Sequence, residues 1–508
     1  MIFIQNRPIL KQTFELKRTF EIGLYMKNLI FILALIFFTV FAANASTSIK
    51  LNEDVLYKLL KESPPTLQKL EASFLSTDAS RAKAEDIFSP TLSASANALD
   101  SDEKSLNTFI PVTSKYKALT LSVSKPLQYG AALGGKVFTE KSTNTQLTNA
   151  TTTGYGLSLS VDLYKDLFGR SSRANLEMTA SASRRARAER DIQVATFKNN
   201  IRKIYWSLVA NEEALKITKT LLSSSEKQLR DANKRFKSGV ADRGELARYN
   251  SQISSRKASM ISIRWEKSKL QQQLKLLLPN LSESELELAP YDIDKTVQDV
   301  LACSAFISKY KEAPMDFTKY DEVVEFLNQE EASQRKLVKN YDSVDLKLIG
   351  EYESTGKAFS QSDSLDDLSD DGRGSLSVGL QFSMPLGSTK KNTRQIQDEI
   401  TTKMYGAQKR EAAGKVNAYH FQTIKSVNLL NEIVFNQKEN TKYLSQSLKV
   451  SKRKYSQARI SAQQLVQEQD AYLQSNLDEI STKLAVIGLL MDYFTVFSET
   501  PCELNRKL

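Results

Sequence analysis

Apolar side chains return at every seventh position through one long stretch of this chain: Val194, Ile201, Leu208, Leu215, Leu222, Leu229 and Phe236. Val466, Leu473, Ile480, Ile487 and Phe494 repeat the spacing near the C-terminal end. Sustained heptads mean helices packed at shallow angles along their whole length. The sequence predicts the first of these helices over 171–237, which at ~1.5 Å per residue is on the order of 100 Å long. A rod of that length has no counterpart in a compact domain. It needs a helix returning beside it, and neighbours beyond, to cover its apolar stripe. Only 18 glycines and 11 prolines occur in 508 residues, which suits long uninterrupted helices.

The segment KRFKSGVADRGEL (234–246) ends the first rod. Gly239 permits a tight reversal, and Asp242 can cap a returning helix over 243–278. A related segment, KRKYSQARISAQQL (452–465), recurs 219 residues on, with Ala458 for Gly239 and Ser461 for Asp242. At the same offset Phe236 meets Tyr455, Leu246 meets Leu465, and YGLSLSVDLYKDLFG (155–169) falls on GSLSVGLQFSMPLGS (374–388). One offset aligning features so far apart marks a duplicated unit. Each half reads as a shorter helical segment (50–87; 317–340), a strand (89–99; 344–354), a polar connection and a second strand (156–164; 375–383). A long helix (171–237; 389–456), a break and a shorter helix (243–278; 462–497) complete it.

The strands alternate with period two. Leu157, Leu159, Val161 and Leu163 oppose Ser158, Ser160 and Asp162, and Leu376, Val378, Leu380 and Phe382 oppose Ser377, Gly379 and Gln381. One face is apolar, the other small and polar. Alternation alone fits a soluble sandwich, and fits equally a membrane barrel with lipid outside and water within.

The first 45 residues read as a targeting region. Met26-Lys27, an apolar run from Leu29 to Ala43 and the small-residue site Ala43-Asn44-Ala45 predict a signal peptide starting at Met26 and cleaved before Ser46. An uncleaved anchor is the alternative. The formal charge is +11, and residues 1–45 contribute +3 of it, leaving about +8 on interleaved, solvated helix faces rather than a nucleic-acid patch. Two cysteines and one histidine, His420, make no zinc site, and His420 is expected at a surface or an interface. No paired acid–base set, phosphate loop or metal cluster points to an enzyme or a cofactor.

The signal peptide, the duplicated strand-and-helix unit and the G-x-A-D tip at Gly239–Asp242 together resemble the TolC-type outer membrane efflux family, across essentially all of the mature chain. The resemblance implies an α+β membrane protein: a homotrimer sharing a twelve-stranded β-barrel in outer membrane lipid, four strands per chain, continuing into a periplasmic α-helical barrel. It implies a passive conduit for efflux or type I secretion, with a periplasmic adaptor and an inner membrane transporter as partners. It also implies two repeats (46–285 and 317–498), an equatorial segment between them (286–316) and a tail (499–508). Its docking tip would comprise Ser238, Gly239, Val240, Asp242 and Leu246 with Ala458, Arg459, Ile460, Ser461 and Leu465. A basic tip residue of some relatives matches Arg459.

Three departures stand out. Residues 117–141 read as an extra hairpin bending near Gly130, which would extend the strands, form an external flap, or displace the choice of first strand. The acidic aperture positions of many relatives hold Gln463 and Val466 here, with Glu468 and Asp470 the nearest acids, either ringing the lumen or pairing between helices. Residues 362–374 carry Asp363, Asp366, Asp367, Asp370 and Asp371, expected as a solvated external loop, with calcium binding as the alternative. Because the family packs both regions near the equator, Cys303 and Cys502 are a possible disulfide. The rival to the conduit is a soluble periplasmic coiled-coil adaptor.

Overall fold

The computed structural model describes residues 48–103, 111–144 and 146–502. The signal-peptide region, its cleavage site and most of the C-terminal tail lie outside the described residues. In chain order the elements are β1 (Ser48–Leu51), α1 (Glu53–Lys61), α2 (Pro65–Asp86), β2 (Thr91–Asp100), β3 (Thr113–Leu127), β4 (Ala131–Asn144) and β5 (Ala150–Asp162). Then come α3 (Arg170–Lys237), α4 (Arg243–Leu277), β6 (Glu285–Leu288), α5 (Ile293–Ile307) and α6 (Tyr320–Lys339). The chain closes with β7 (Asp345–Ala358), α7 (Gln361–Asp371), β8 (Arg373–Ser383), α8 (Thr389–Ser456) and α9 (Ala462–Val496).

The long helices recur in register. α3 and α8 each have 68 residues and begin 219 positions apart, and α4 and α9 each have 35 and are offset by the same 219. No proline interrupts α3 or α8, so each runs as one rod. Toward the hairpin tips the helices lie side by side in the order α4, α3, α9, α8; toward the sheet the order is α2, α3, α6, α8. This is a single layer, and α8 forms one of its edges throughout.

The heptad stripes meet near mid-length. Ile201 and Leu208 of α3 are buried with Ile487 and Phe494 of α9, against Leu51, Leu56 and Val300. β1 and β6 pair in parallel beside this core. Glu53 accepts from Trp206 Nε1 at 2.9 Å and from Arg202 Nε at 3.1 Å, fixing α1 to α3. Cys303 and Cys502 are disulfide-bonded, tying α5 to the segment after α9. His420 is fully buried here rather than at a surface, among Tyr493 and Phe497, with Nε2 3.1 Å from the Tyr310 carbonyl oxygen. Val416 and Ile424, one turn before and after it, mark an apolar helix face, but the aromatic pocket itself is closed by Tyr493 and Phe497 of a distant segment, which sequence alone does not bring there.

The sheet corrects the expected four strands to six, in the antiparallel order β2-β3-β4-β5-β7-β8. The insertion is a complete hairpin hydrogen-bonded on both sides: β3 pairs with β2 and β4, and β4 with β5. The two halves join through β5 and β7, from Thr151↔Ala358 to Asp162↔Lys347. The acidic segment is another correction, for α7 is a helix and not a loop. Ser360 caps it by accepting from the Asp363 amide at 3.2 Å, and its aspartates, spaced i, i+3, i+4, i+7 and i+8, line one face of the helix. Among the described residues no three acidic or metal-ligating side chains converge closely enough to hold a metal ion. Ser364 Oγ donates to Thr153 Oγ1 at 2.6 Å, and a Cβ on Gly356 would lie 2.2 Å from the Ser364 carbonyl oxygen, so glycine there lets α7 seat on β5 and β7.

Candidate functional site

No described helix is long and apolar enough to cross a membrane, which leaves the sheet to be considered. The row Leu92–Val123–Gly135–Leu157–Tyr352–Leu376 crosses all six strands on one face. Its large apolar members are uncovered, Leu376 being 75% exposed. The row Ser93–Ser122–Lys136–Gly156–Glu353–Ser375 crosses on the other face. Lys136 Nζ there lies 2.8 Å from Glu353 and 2.9 Å from Glu351. Exposed aromatics bound the apolar band: Tyr155 and Tyr352, with centroids 6.5 Å apart, toward the outer turns, and Tyr129, Tyr164 and Phe168 where the strands meet the helices. An apolar band between aromatic girdles with a polar reverse face is the pattern of a membrane barrel wall. Among the described residues, the outer backbone edges of β2 and β8 have no strand partner.

At the opposite end of the rods, the first reversal ends α3 at Ser238, with Gly239 at φ +73°. Asp242 caps α4 by accepting from the Glu245 amide at 2.6 Å. In the second, Ala458 takes φ +52°, and Ser461 caps α9 by accepting from the Gln464 amide at 3.2 Å. Ser238, Gly239, Val240, Asp242, Ala458, Arg459, Ser461 and Gln463 are exposed, Val240 at 72%. Leu246, Ile460 and Leu465 are different. Leu465 is only 1% exposed within a small core with Ala232, Tyr249, Leu448 and Tyr455, and Leu246 and Ile460 pack against it. These three hold the tips together and offer little surface for docking.

Two polar clusters join the hairpins. At the tip, Arg235 Nη2 of α3 donates to Glu245 of α4 and to the Tyr455 hydroxyl of α8, which itself donates to Glu245. The guanidinium also sits 4.5 Å from the Tyr455 ring centroid. Tyr249 is buried beside it, edge-on to Tyr455, and burial pushes its phenol pKa up. The sequence reading did not single out Arg235, Glu245 or Tyr455. The offset pairs Tyr455 with Phe236, but nothing in the sequence shows that it faces the other hairpin.

Further from the tip, Arg256 of α4 is buried. It donates to the Leu221 carbonyl oxygen at 2.7 Å, to Ser225 Oγ, to Gln469 at 3.3 Å and to Asp470 at 3.2 Å. Burial lowers its pKa, and Asp470 opposes that shift. Glu468 turns the other way and accepts from Ser447 Oγ of α8 at 2.8 Å. Residues two apart on a helix do not share a face. Glu468 and Asp470 therefore serve opposite helix–helix seams within the chain.

No family model matches the sequence, and no curated protein is similar to it in sequence. Solved structures do match. The outer membrane protein VceC of Vibrio cholerae superposes with a TM-score of 0.63 at 15% identity, covering 87% of this chain and 95% of its own. The chain has the fold of the TolC-type outer membrane channels. The CmeC outer membrane channel of Campylobacter jejuni matches with a TM-score of 0.58 at 13% identity, over 89% of each chain. The open MtrE outer membrane channel of Neisseria gonorrhoeae gives 0.57 at 15%, over 87% of this chain and 88% of its own.

Proposed function

We propose that this chain is one protomer of a homotrimeric outer membrane channel, exported by an N-terminal signal peptide. It would carry cargo passively from the periplasm or an inner membrane transporter to the exterior, in a tripartite efflux or type I secretion assembly. The observation that carries this reading is the uncovered apolar band on a sheet whose edges lack partners. Hydrocarbon accepts the band but not the edges, since each unsatisfied backbone group costs several kcal/mol there. Further strands must close the wall, and only other copies can supply strands in the same register.

The helical layer supports the same closure. α8 exposes Ile396, Ile400, Phe421, Leu429 and Phe435 along one edge, while the opposite edge exposes Leu75 of α2 with Ile261 and Trp265 of α4. Burying one edge against the next copy would complete the coiled-coil packing that the heptads ask for. The exposed tip residues, above all Val240 and Arg459, are suited to end-on contact with a helical adaptor hairpin. The soluble-adaptor alternative has no use for the apolar sheet face.

The test is the native mass of the mature protein extracted from outer membranes in mild detergent. Three chains per particle support the channel. A monomer or dimer recovered from the soluble periplasm overturns it.

A further inference from the structure

We infer that the β3–β4 hairpin supplies two membrane-spanning staves per chain, so that three chains close an eighteen-stranded barrel about as wide as the helical tunnel beneath it. The inference rests on the channel reading above and specifies its bore.

Four observations place the hairpin in the wall. First, β3 has 15 residues and β4 has 14, against 13 for β5, and each exceeds the roughly 9–11 that a tilted strand needs to span the hydrocarbon. Second, the faces continue through it. Leu119, Leu121, Val123, Leu133 and Val137 are exposed on the same side as Leu157 and Leu376. Third, the hairpin is bolted at its base. A Cβ on Gly130 would lie 2.0 Å from the Asp166 carbonyl oxygen, and one on Gly169 would lie 1.7 Å from that of Gln128. The β3–β4 turn therefore sits level with the strand-to-helix junction, where a hanging flap would not reach. Fourth, Lys136 of β4 crosses over Gly156 of β5 to meet Glu351 and Glu353 of β7. A side chain at position 156 would obstruct that crossing, with its Cβ 2.8 Å from Lys136 Cε.

Closure by a second copy follows from strand parity. β2 leads away from the helices and β8 returns to them, so the edges of an even-stranded sheet meet antiparallel between chains. Their lengths match, at 10 and 11 residues, and both point even-numbered apolar residues outward.

Arc lengths give an independent check. Six strands spaced ~4.8 Å apart and tilted about 40° occupy roughly 38 Å of circumference, and four occupy roughly 25 Å. Four helices side by side at about 8–10 Å take roughly 32–40 Å. Six strands fit over four helices without a taper. Three copies give a mean diameter of about 36 Å, against about 24 Å for twelve strands; removing about 5 Å of side chain on each side leaves bores of about 26 and 14 Å.

Single-cysteine variants of the full-length trimer in outer membrane vesicles test this. With Cys303 and Cys502 joined, the introduced thiol is the only free one. Ser122→Cys and Lys136→Cys should react with a charged, water-soluble thiol reagent at least ten times faster than Val123→Cys and Val137→Cys. A fluorophore on the latter pair should be quenched by spin-labelled lipid. Equal reactivity of the two pairs, with no lipid quenching, overturns the inference. Ser158→Cys and Leu157→Cys on β5 serve as the reference, since loss of contrast there defeats the channel reading itself. Ser158→Cys should also accept maleimides on polymers too bulky for a bore of about 14 Å. Exclusion of those polymers while small reagents react means a twelve-stranded wall.

Discussion

Arg235 and Tyr455 lie 220 residues apart in sequence, yet the guanidinium of one stacks 4.5 Å from the ring centroid of the other and donates to its hydroxyl. The pair latches the first helical hairpin to the second at the tip, where the proposed conduit meets its partners. Cation–π contact contributes about 0.5–2 kcal/mol and a charge-assisted hydrogen bond about 1.5–3 kcal/mol. Tyr455→Ala removes both, and Tyr455→Phe keeps the stacking. In planar bilayers Tyr455→Ala should conduct several-fold more than wild type, with Tyr455→Phe in between. Wild-type conductance in both variants would show that this latch is not the gate.

The two tip turns use the same left-handed backbone, but only one has glycine. Nothing lies within 4 Å of a Cβ built on Gly239, so Gly239→Ala costs only the backbone strain, about 1–2 kcal/mol. Ala458 at φ +52° already bears that strain, and Ala458→Gly should recover up to about 1 kcal/mol. Denaturant midpoints of the two variants should move in opposite directions. Movement in the same direction contradicts the turn geometry.

The disulfide crosslinks positions separated by 199 residues. Reducing the unfolded protein should add the mass of two hydrogens. The Cys303→Ser, Cys502→Ser double variant should be about 2–5 kcal/mol less stable. An unchanged mass on reduction would rule out the bond.

Glu331 of α6 accepts from Lys409 of α8 at 2.6 Å and from Arg335 at 2.8 Å, and these bonds hold its carboxyl below the ordinary glutamate range. A depressed carboxyl stabilises the fold fully above its unfolded pKa of about 4.3, and that contribution is lost as pH falls through the folded value. Glu331→Gln should therefore lower Tm at pH 7 and lose its effect in strong acid. A Tm difference that persists below pH about 3 would mean that the variant acts through packing rather than charge.

Sequence by itself determined the repeating parts. The heptads and the 219-residue offset place the long helix over 171–237, and the structure runs it from Arg170 to Lys237. The period-two alternation gives the strands their faces, and Asp242 and Ser461 announce the helix caps. These are local signals, written in neighbouring residues and in backbone preferences. Tertiary structure decided what pairs with what. It set the strand number at six, because a segment such as 117–141 becomes wall or flap only when flanking strands accept its hydrogen bonds. It buried His420 and Leu465, turned Glu468 and Asp470 to opposite seams, and brought Tyr455 to Arg235. Each of these depends on elements distant in sequence meeting at one place, and local periodicity carries no record of such meetings.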